Sequence, residues 1–362
     1  MPALFPRGPA KGHVPVLNSA SPWASAEQDL ARLWADPFTS AITTRTATLH
    51  GFPDQADLHQ VAFFGPDAHS TINSYGYSPH PLESYLAWLR SLLLAPIQAT
   101  TKRGRKRVIV SITGSLLETG VMLEMLQRFA NEVDEEAIAV EFNASCPNIP
   151  GHPPPAYHQG ALTEYLELLA SYASPNLLVG VKLPPFTYQD QFDAVIGALR
   201  SVTRRTVDEA KGEVQSHPIS FLTATNTLGQ GLVFANQESP VARDPASSCR
   251  PRPQGRLTAM PSSPPTAAAG GGQPLGGWGG LAGSTLHPLA LGNVARLANL
   301  LRQDPDSGLS GIVLIGVGGA NDADAVERFR RAGADAVACA TALGREGPAV
   351  FEKMTRPPAA KL

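Results

Sequence analysis

Eight short, apolar, β-rich runs alternate with helical patterns along this chain, and that alternation limits its fold more than any other feature. The runs are HVPVLNSAS (13–21), AITTRTATL (41–49), RVIVSIT (107–113), AIAVEFNAS (137–145), LLVGVKLPP (177–185), ISFLTATNT (219–227), GIVLIGVGG (311–319) and ADAVACATA (334–342). Most are continuously apolar, the pattern of strands covered by helices on both faces. Between them, residues 116–129, 162–173, 287–301 and 322–331 carry apolar side chains at helical spacing. Asn321 is a candidate N-cap for the last of these helices and Gly333 a candidate stop. Eight such units in order predict an α/β fold, a parallel TIM (β/α)8 barrel. Periodicity does not distinguish this closed barrel from an open, doubly wound sheet.

A chain of 362 residues with 43% hydrophobic content accommodates one large barrel or two average domains. We read residues 1–362 as a single barrel interrupted by one segment, 237–277. That segment is rich in Pro, Ser, Ala and Gly and has little hydrophobic periodicity, so it is expected to be a disordered or loosely held loop. It follows the sixth strand, at the end of a barrel where active-site loops lie. It is either a lid extension, an insertion without function, or sequence absent from the mature protein. We expect no function for its middle part.

A formal net charge of −2 gives no bulk attraction to nucleic acid or to an anionic membrane. The first residues lack the continuous apolar core of a signal peptide, and the apolar run at 86–96 is interrupted by Arg90 and too short for a bilayer. The three cysteines, Cys146, Cys249 and Cys339, have no metal-ligand spacing, and their odd, sparse count fits a reducing compartment. A soluble, cytoplasmic protein without a metal site is the expectation.

The chemistry concentrates in NASCPNIPG (143–151), directly after a strand. A lone cysteine is usually a packing residue. Cys146, however, lies in a polar loop stiffened by Pro147 and Pro150, at a strand's C-terminal end, where barrels place catalytic groups. The flanking Asn143 and Asn148 offer donors and acceptors suited to the edge of an amide-containing ring, although asparagines after strands are also common turn formers. Lys182 sits in an apolar run and must be paired, in a structural ion pair or beside a ligand. Gly318 and Gly319 of IGVGG, with Thr341 of CATALG, read as a phosphate-binding end after strands seven and eight. The glycine pair by itself is a weak signal.

NASCPNIPG closely resembles the active-site loop of class 1 dihydroorotate dehydrogenases. STINSYGY (70–77), VGVKLPP (179–185), TNTLGQGL (225–232), the GGLAG and HPLALGNV region (279–294), IGVGG (315–319) and ATALGREGPAVF (340–351) follow in the family's order. The PNIPGHP continuation is most similar to class 1A, the soluble, homodimeric, fumarate-linked branch. The resemblance implies FMN as cofactor and oxidation of (S)-dihydroorotate to orotate in de novo pyrimidine (UMP) biosynthesis. Cys146 would take the C5 proton, the flavin the C6 hydride, and fumarate would be the acceptor. It implies that Asn73, Asn143, Asn148, Asn226 and Thr227, with backbone groups of Tyr75, Gly76 and Tyr77, surround the substrate. Ser19, Ala20, Arg45, Thr46, Asn143, Lys182, Thr225, Gly279, Gly280, Gly318, Gly319, Ala340 and Thr341 would meet the flavin, with Lys182 at its N1 and O2 edge.

Three positions depart from the family. Arg45 stands where a lysine approaches flavin and substrate, and a planar fork does not replace a compact point charge. A shift of register would instead put Thr44 there and remove the charge. His287 replaces a lysine, and His152 another basic residue beside the catalytic loop. The alternatives are a flavin barrel acting on another dihydropyrimidine-like ring, a non-catalytic barrel, and a flavin-free barrel enzyme of a phosphorylated substrate. The last would not explain Cys146 together with the four asparagines.

Overall fold

All eight expected strands form in the computed structural model, and they close on one another. The structure describes residues 4–5, 14–55, 59–94, 106–133, 137–145, 154–208, 212–234, 237, 239, 278–303 and 308–356, with 204–216 described by their backbone alone. The strands are β1 (Val16–Asn18), β2 (Ala41–Thr43), β3 (Val61–Phe64), β4 (Ser70–Asn73), β5 (Arg107–Ile112), β6 (Ile138–Asn143), β7 (Leu177–Leu183), β8 (Arg204–Asp208), β9 (Gly212–Ser216), β10 (Ile219–Ala224), β11 (Leu228–Leu232), β12 (Trp278–Gly283), β13 (Val313–Val317) and β14 (Ala336–Cys339). The helices are α1 (Glu27–Ala35), α2 (Leu82–Leu93), α3 (Leu116–Glu132), α4 (Gln159–Tyr172), α5 (Gln189–Ser201), α6 (His287–Arg302), α7 (Ala323–Ala332), α8 (Thr341–Glu346) and α9 (Ala349–Thr355).

Strands β1, β14, β13, β10, β7, β6, β5 and β2 make a closed barrel in that order. Every neighbouring pair is parallel. Because β1 pairs with both β14 and β2, no edge remains, which excludes the open sheet.

Side chains of a strand alternate between faces, and here the alternation separates two cores. Val108, Val110 and Ile112 of β5 pack outward with the helices. Ile109 points inward with Leu17, Ala41, Ala139, Leu178, Phe221, Ile315 and Ala336, and Leu4 joins this inner cluster. Following the same period towards the strands' C-terminal ends changes the chemistry. Ala139 gives way to Glu141 and Asn143, Leu178 to Gly180 and Lys182, Phe221 to Thr223 and Thr225. The barrel is therefore apolar inside at one end and polar at the other, which is where its loops can build a site.

Two features were absent from the sequence reading. Strands β11, β12, β4 and β3 form an antiparallel four-stranded sheet, and β8 and β9 an antiparallel hairpin. In the sheet, Leu232 pairs with Trp278, so the chain leaves and re-enters it at facing residues. Apart from Gln237 and Ser239, the segment expected to be loose (237–277) lies outside the described residues.

Helix boundaries follow side-chain chemistry. Ser115 caps α3 by accepting from Glu118 N, while Ser115 N donates to the Glu118 carboxylate at 2.9 Å, a reciprocal capping box. For α7 the cap is Asp322, not the expected Asn321: Ala325 N donates to Asp322 Oδ1 at 2.7 Å. Gly333 ends that helix at φ +101° as expected. Among the described residues no helix is long and apolar enough to cross a membrane.

Candidate active site

A cleft of about 920 Å³, open solvent at its mouth included, lies where the polar inner layer meets the four-stranded sheet. Of the residues expected at a site, Ser19, Ala20, Arg45, Thr46, Asn73, Tyr75, Gly76, Tyr77, Asn143, Lys182, Thr225, Asn226, Thr227, Gly318, Gly319, Ala340 and Thr341 all line it. They come from β1, β2, β4, β6, β7, β10, β13 and β14, or from the loops that follow them, so barrel closure and the four-stranded sheet together assemble them. Cys146 and Asn148 lie outside the described residues, as does His152.

The register at Arg45 is settled. Thr44 turns to the neighbouring strand, where its Oγ1 accepts from Ser111 N at 3.0 Å. Arg45 takes the cleft side. It donates to Ser25 Oγ at 3.3 Å and to the Gly76 carbonyl at 3.4 Å, and its guanidinium stands 5.3 Å from the centre of the Tyr75 ring, a cation–π distance. Burial pushes the Tyr75 hydroxyl above its usual range, and the Arg45 charge opposes that rise. Gly76 admits no side chain, because a Cβ there would overlap the Phe52 ring.

Lys182 is the second cation. It spans the barrel from β7 to the loop after β1, donating to Ser19 Oγ at 3.0 Å and to the Ala20 carbonyl at 3.4 Å. Only 4% of it is exposed. The lining holds Arg45 and Lys182 and, among the described residues, no acidic side chain. Such a cleft favours an anionic ligand.

Asn143 and Asn226 belong to one hydrogen-bonded network. Asn143 Nδ2 donates to Thr46 Oγ1 at 3.0 Å, and Asn143 Oδ1 accepts from Ser145 Oγ at 2.6 Å. Asn226 Nδ2 donates to Ser145 Oγ at 2.9 Å, and Asn226 Oδ1 accepts from Thr227 N at 2.8 Å. Below them Ser111 Oγ meets Thr46 Oγ1 at 3.0 Å and donates to Glu141 at 3.1 Å. The network fixes which way each amide faces. Ser145, next to Cys146 in the chain, was not singled out by sequence reasoning; its central place appears only when β6 and the loop after β10 meet.

Gly279 and Gly280 do not line the cleft, contrary to expectation. They lie in β12, paired antiparallel with β4, with Gly280 opposite Asn73. Asn73 Nδ2 donates to the Gly280 carbonyl at 3.2 Å, and a Cβ on Gly280 would overlap Thr227. Their smallness lets Asn73 and Thr227 approach. Instead the same strand supplies Ala282 and Gly283 to the lining. Other lining residues missed in the sequence are Ser21, Pro22, Trp23, Val61, Thr71, Leu286 and Val317. Thr71 and Val317 had a local signal, lying within STINSYGY and IGVGG. Thr71 and Thr341 join through their hydroxyls at 2.9 Å, tying the sheet to the start of α8.

Cys339 shows the opposite fate for a cysteine. It is buried in the outer core, and burial pushes its thiol up to about 12, so it stays protonated and unreactive.

A parallel barrel with a cation-lined cleft and a glycine-walled end defines the class: an α/β barrel whose candidate site lies at the C-terminal mouth of its strands, where such barrels carry their sites. The family model described as dihydroorotate dehydrogenase matches residues 267–361. The dihydroorotate dehydrogenase (fumarate) of Trypanosoma cruzi is 27% identical over 342 residues, covering 94% of this chain and 87% of that protein. The protein of the same name from Trypanosoma brucei brucei is 26% identical over 343 residues, covering 94% and 88%. Among solved structures, ligand-free dihydroorotate dehydrogenase from Eimeria tenella superposes with a TM-score of 0.61 at 15% identity, covering 94% of this chain and 82% of that one, a likeness of fold. Over most of its length the chain is thus similar to dihydroorotate dehydrogenases of the fumarate-linked kind.

Proposed function

We propose that this protein binds FMN in the cleft and oxidises dihydroorotate to orotate, with fumarate as the electron acceptor. The observation that carries the reading is the meeting in one cleft of Lys182, Arg45, three of the four predicted asparagines and the Gly318–Gly319 wall. The residues suit the cofactor. Ser21 Oγ is buried without a hydrogen-bond partner among the described residues, a cost that a polar ligand removes. Gly318 and Gly319 have φ of +133° and +76° and present bare backbone to the cleft. Ser19, Ala20 and Lys182 would hold the flavin's polar edge, and Ala340 and Thr341 its phosphate end. When bound there, FMN supplies the hydride acceptor.

The protein's own part is to bind, orient and deprotonate. Lys182 brings a fixed positive charge that favours electron-rich flavin. Asn73, Asn143 and Asn226, with Asn148, would read the substrate's alternating N–H and C=O groups, and Arg45 with the backbone near Gly76 would meet its carboxylate. Cys146 would accept the C5 proton; a thiol ordinarily titrates near about 8.5, so turnover should rise through mildly alkaline pH. We also propose that the chain acts as a single barrel domain, as a homodimer, in the cytoplasm.

Arg45 favours one second reading, a flavin barrel whose substrate is a related cyclic amide. An anaerobic absorbance spectrum separates the two. Bleaching of the flavin band near roughly 450 nm on adding dihydroorotate supports the first, since the band reports cofactor reduction. A yellow protein that dihydroorotate leaves unbleached supports the second, and a protein that takes up no flavin sinks both.

A further inference from the structure

His287 opens α6, immediately behind the glycine wall of the cleft but outside its lining. Its Nδ1 donates to the Gly318 carbonyl at 2.7 Å, and its Nε2 accepts from Arg328 Nε at 2.9 Å. A guanidinium only donates and a carbonyl only accepts. The two contacts together therefore require the neutral ring protonated at Nδ1. Burial, the largest cause, and the Arg328 charge both push this histidine below its usual range, against the Gly318 hydrogen bond and Asp322. The ring is also held edge-on to Phe329, with centres 5.2 Å apart.

The Gly318–Gly319 peptide is planar and trans, so its C=O and N–H point in opposite directions. Its carbonyl is turned outward, to His287. Its N–H is therefore turned the other way, towards the cleft that Gly318 and Gly319 line, and it has no partner among the described residues.

The geometry points to His287, held by Arg328, as a positioning residue that turns the Gly318–Gly319 peptide so that the Gly319 N–H meets the phosphate of FMN. This rests on the flavin reading above. The histidine touches no ligand; it acts by holding one carbonyl away from an anion and the linked N–H towards it. A lysine here would carry the same donor but could not accept from Arg328.

The test follows release of FMN from the full-length holoprotein on dilution, by the return of free-flavin fluorescence. It is repeated after exchange into riboflavin, which has the same ring and ribityl chain without the phosphate. His287→Phe should hold FMN about three- to ten-fold more weakly, the usual weight of one net hydrogen bond, and hold riboflavin as the wild type does. His287→Asn, whose amide N–H can take the place of Nδ1–H, should restore FMN retention. Equal weakening towards both flavins, or none towards FMN, overturns the inference while leaving the flavin reading intact. A wild-type protein that holds neither flavin removes the flavin reading itself, and this inference with it.

Discussion

The two ends of the cleft are built differently. At the Gly318–Gly319 end the protein offers backbone, with His287 outside the cleft holding the Gly318 carbonyl and Thr71, in the lining, holding Thr341. At the Arg45 end it offers side chains: Arg45 against Tyr75, and the linked amides of Asn143 and Asn226. Backbone groups suit a ligand part that recurs unchanged, such as a phosphate. Side chains can be exchanged one at a time; of the positions that depart from the dihydroorotate dehydrogenase pattern, Arg45 is at that end and His287 stands behind the other.

The sharpest way to break this comparison is to remove the proposed base. Cys146→Ala should lower dihydroorotate-driven flavin reduction by about 100- to 10,000-fold, the range for a lost general base, with FMN still bound. Full activity in that variant would remove the assignment, and loss of FMN would show that the two ends are not separable. A smaller effect is expected at Arg45. Arg45→Ala should weaken orotate binding by roughly 10- to 100-fold, as for a lost charge-assisted hydrogen bond, with a smaller loss of FMN retention. An orotate titration of the flavin spectrum reads both. The smallest effect concerns a region belonging to neither end. Deleting residues 241–270 should leave the thermal unfolding transition almost where it was, because β11 and β12 already pair at Leu232 and Trp278 without it. A marked fall in Tm would show that the segment packs against the barrel.

The strands and their order could be read from the chain because apolar runs flanked by helical periodicity are local patterns. All eight barrel strands fall within the predicted runs, and so do helices α3, α4, α6 and α7, each within a few residues. The sheet over the mouth was not legible. Its strands β3, β4, β11 and β12 are short and lie in what resembles loop sequence, and they form only because β4 meets β12 across more than two hundred residues. The cap of α7 was misread by one residue, since Asn321 and Asp322 are equally good caps until the backbone selects one.

The site divides in the same way. The sequence alone determined which residue types were present for the chemistry, and resemblance placed them at the cleft, because motif spacing survives in the chain itself. Tertiary structure decided the rest. Closure of the barrel put Arg45 rather than Thr44 at the cleft, and pairing of β12 with β4 set Gly279 and Gly280 against Asn73 and Thr227. The pairing of α6 with the loop after β13 gave His287 its carbonyl to hold. Each of these depends on which way a group points, and direction is set by neighbours that are distant in the chain.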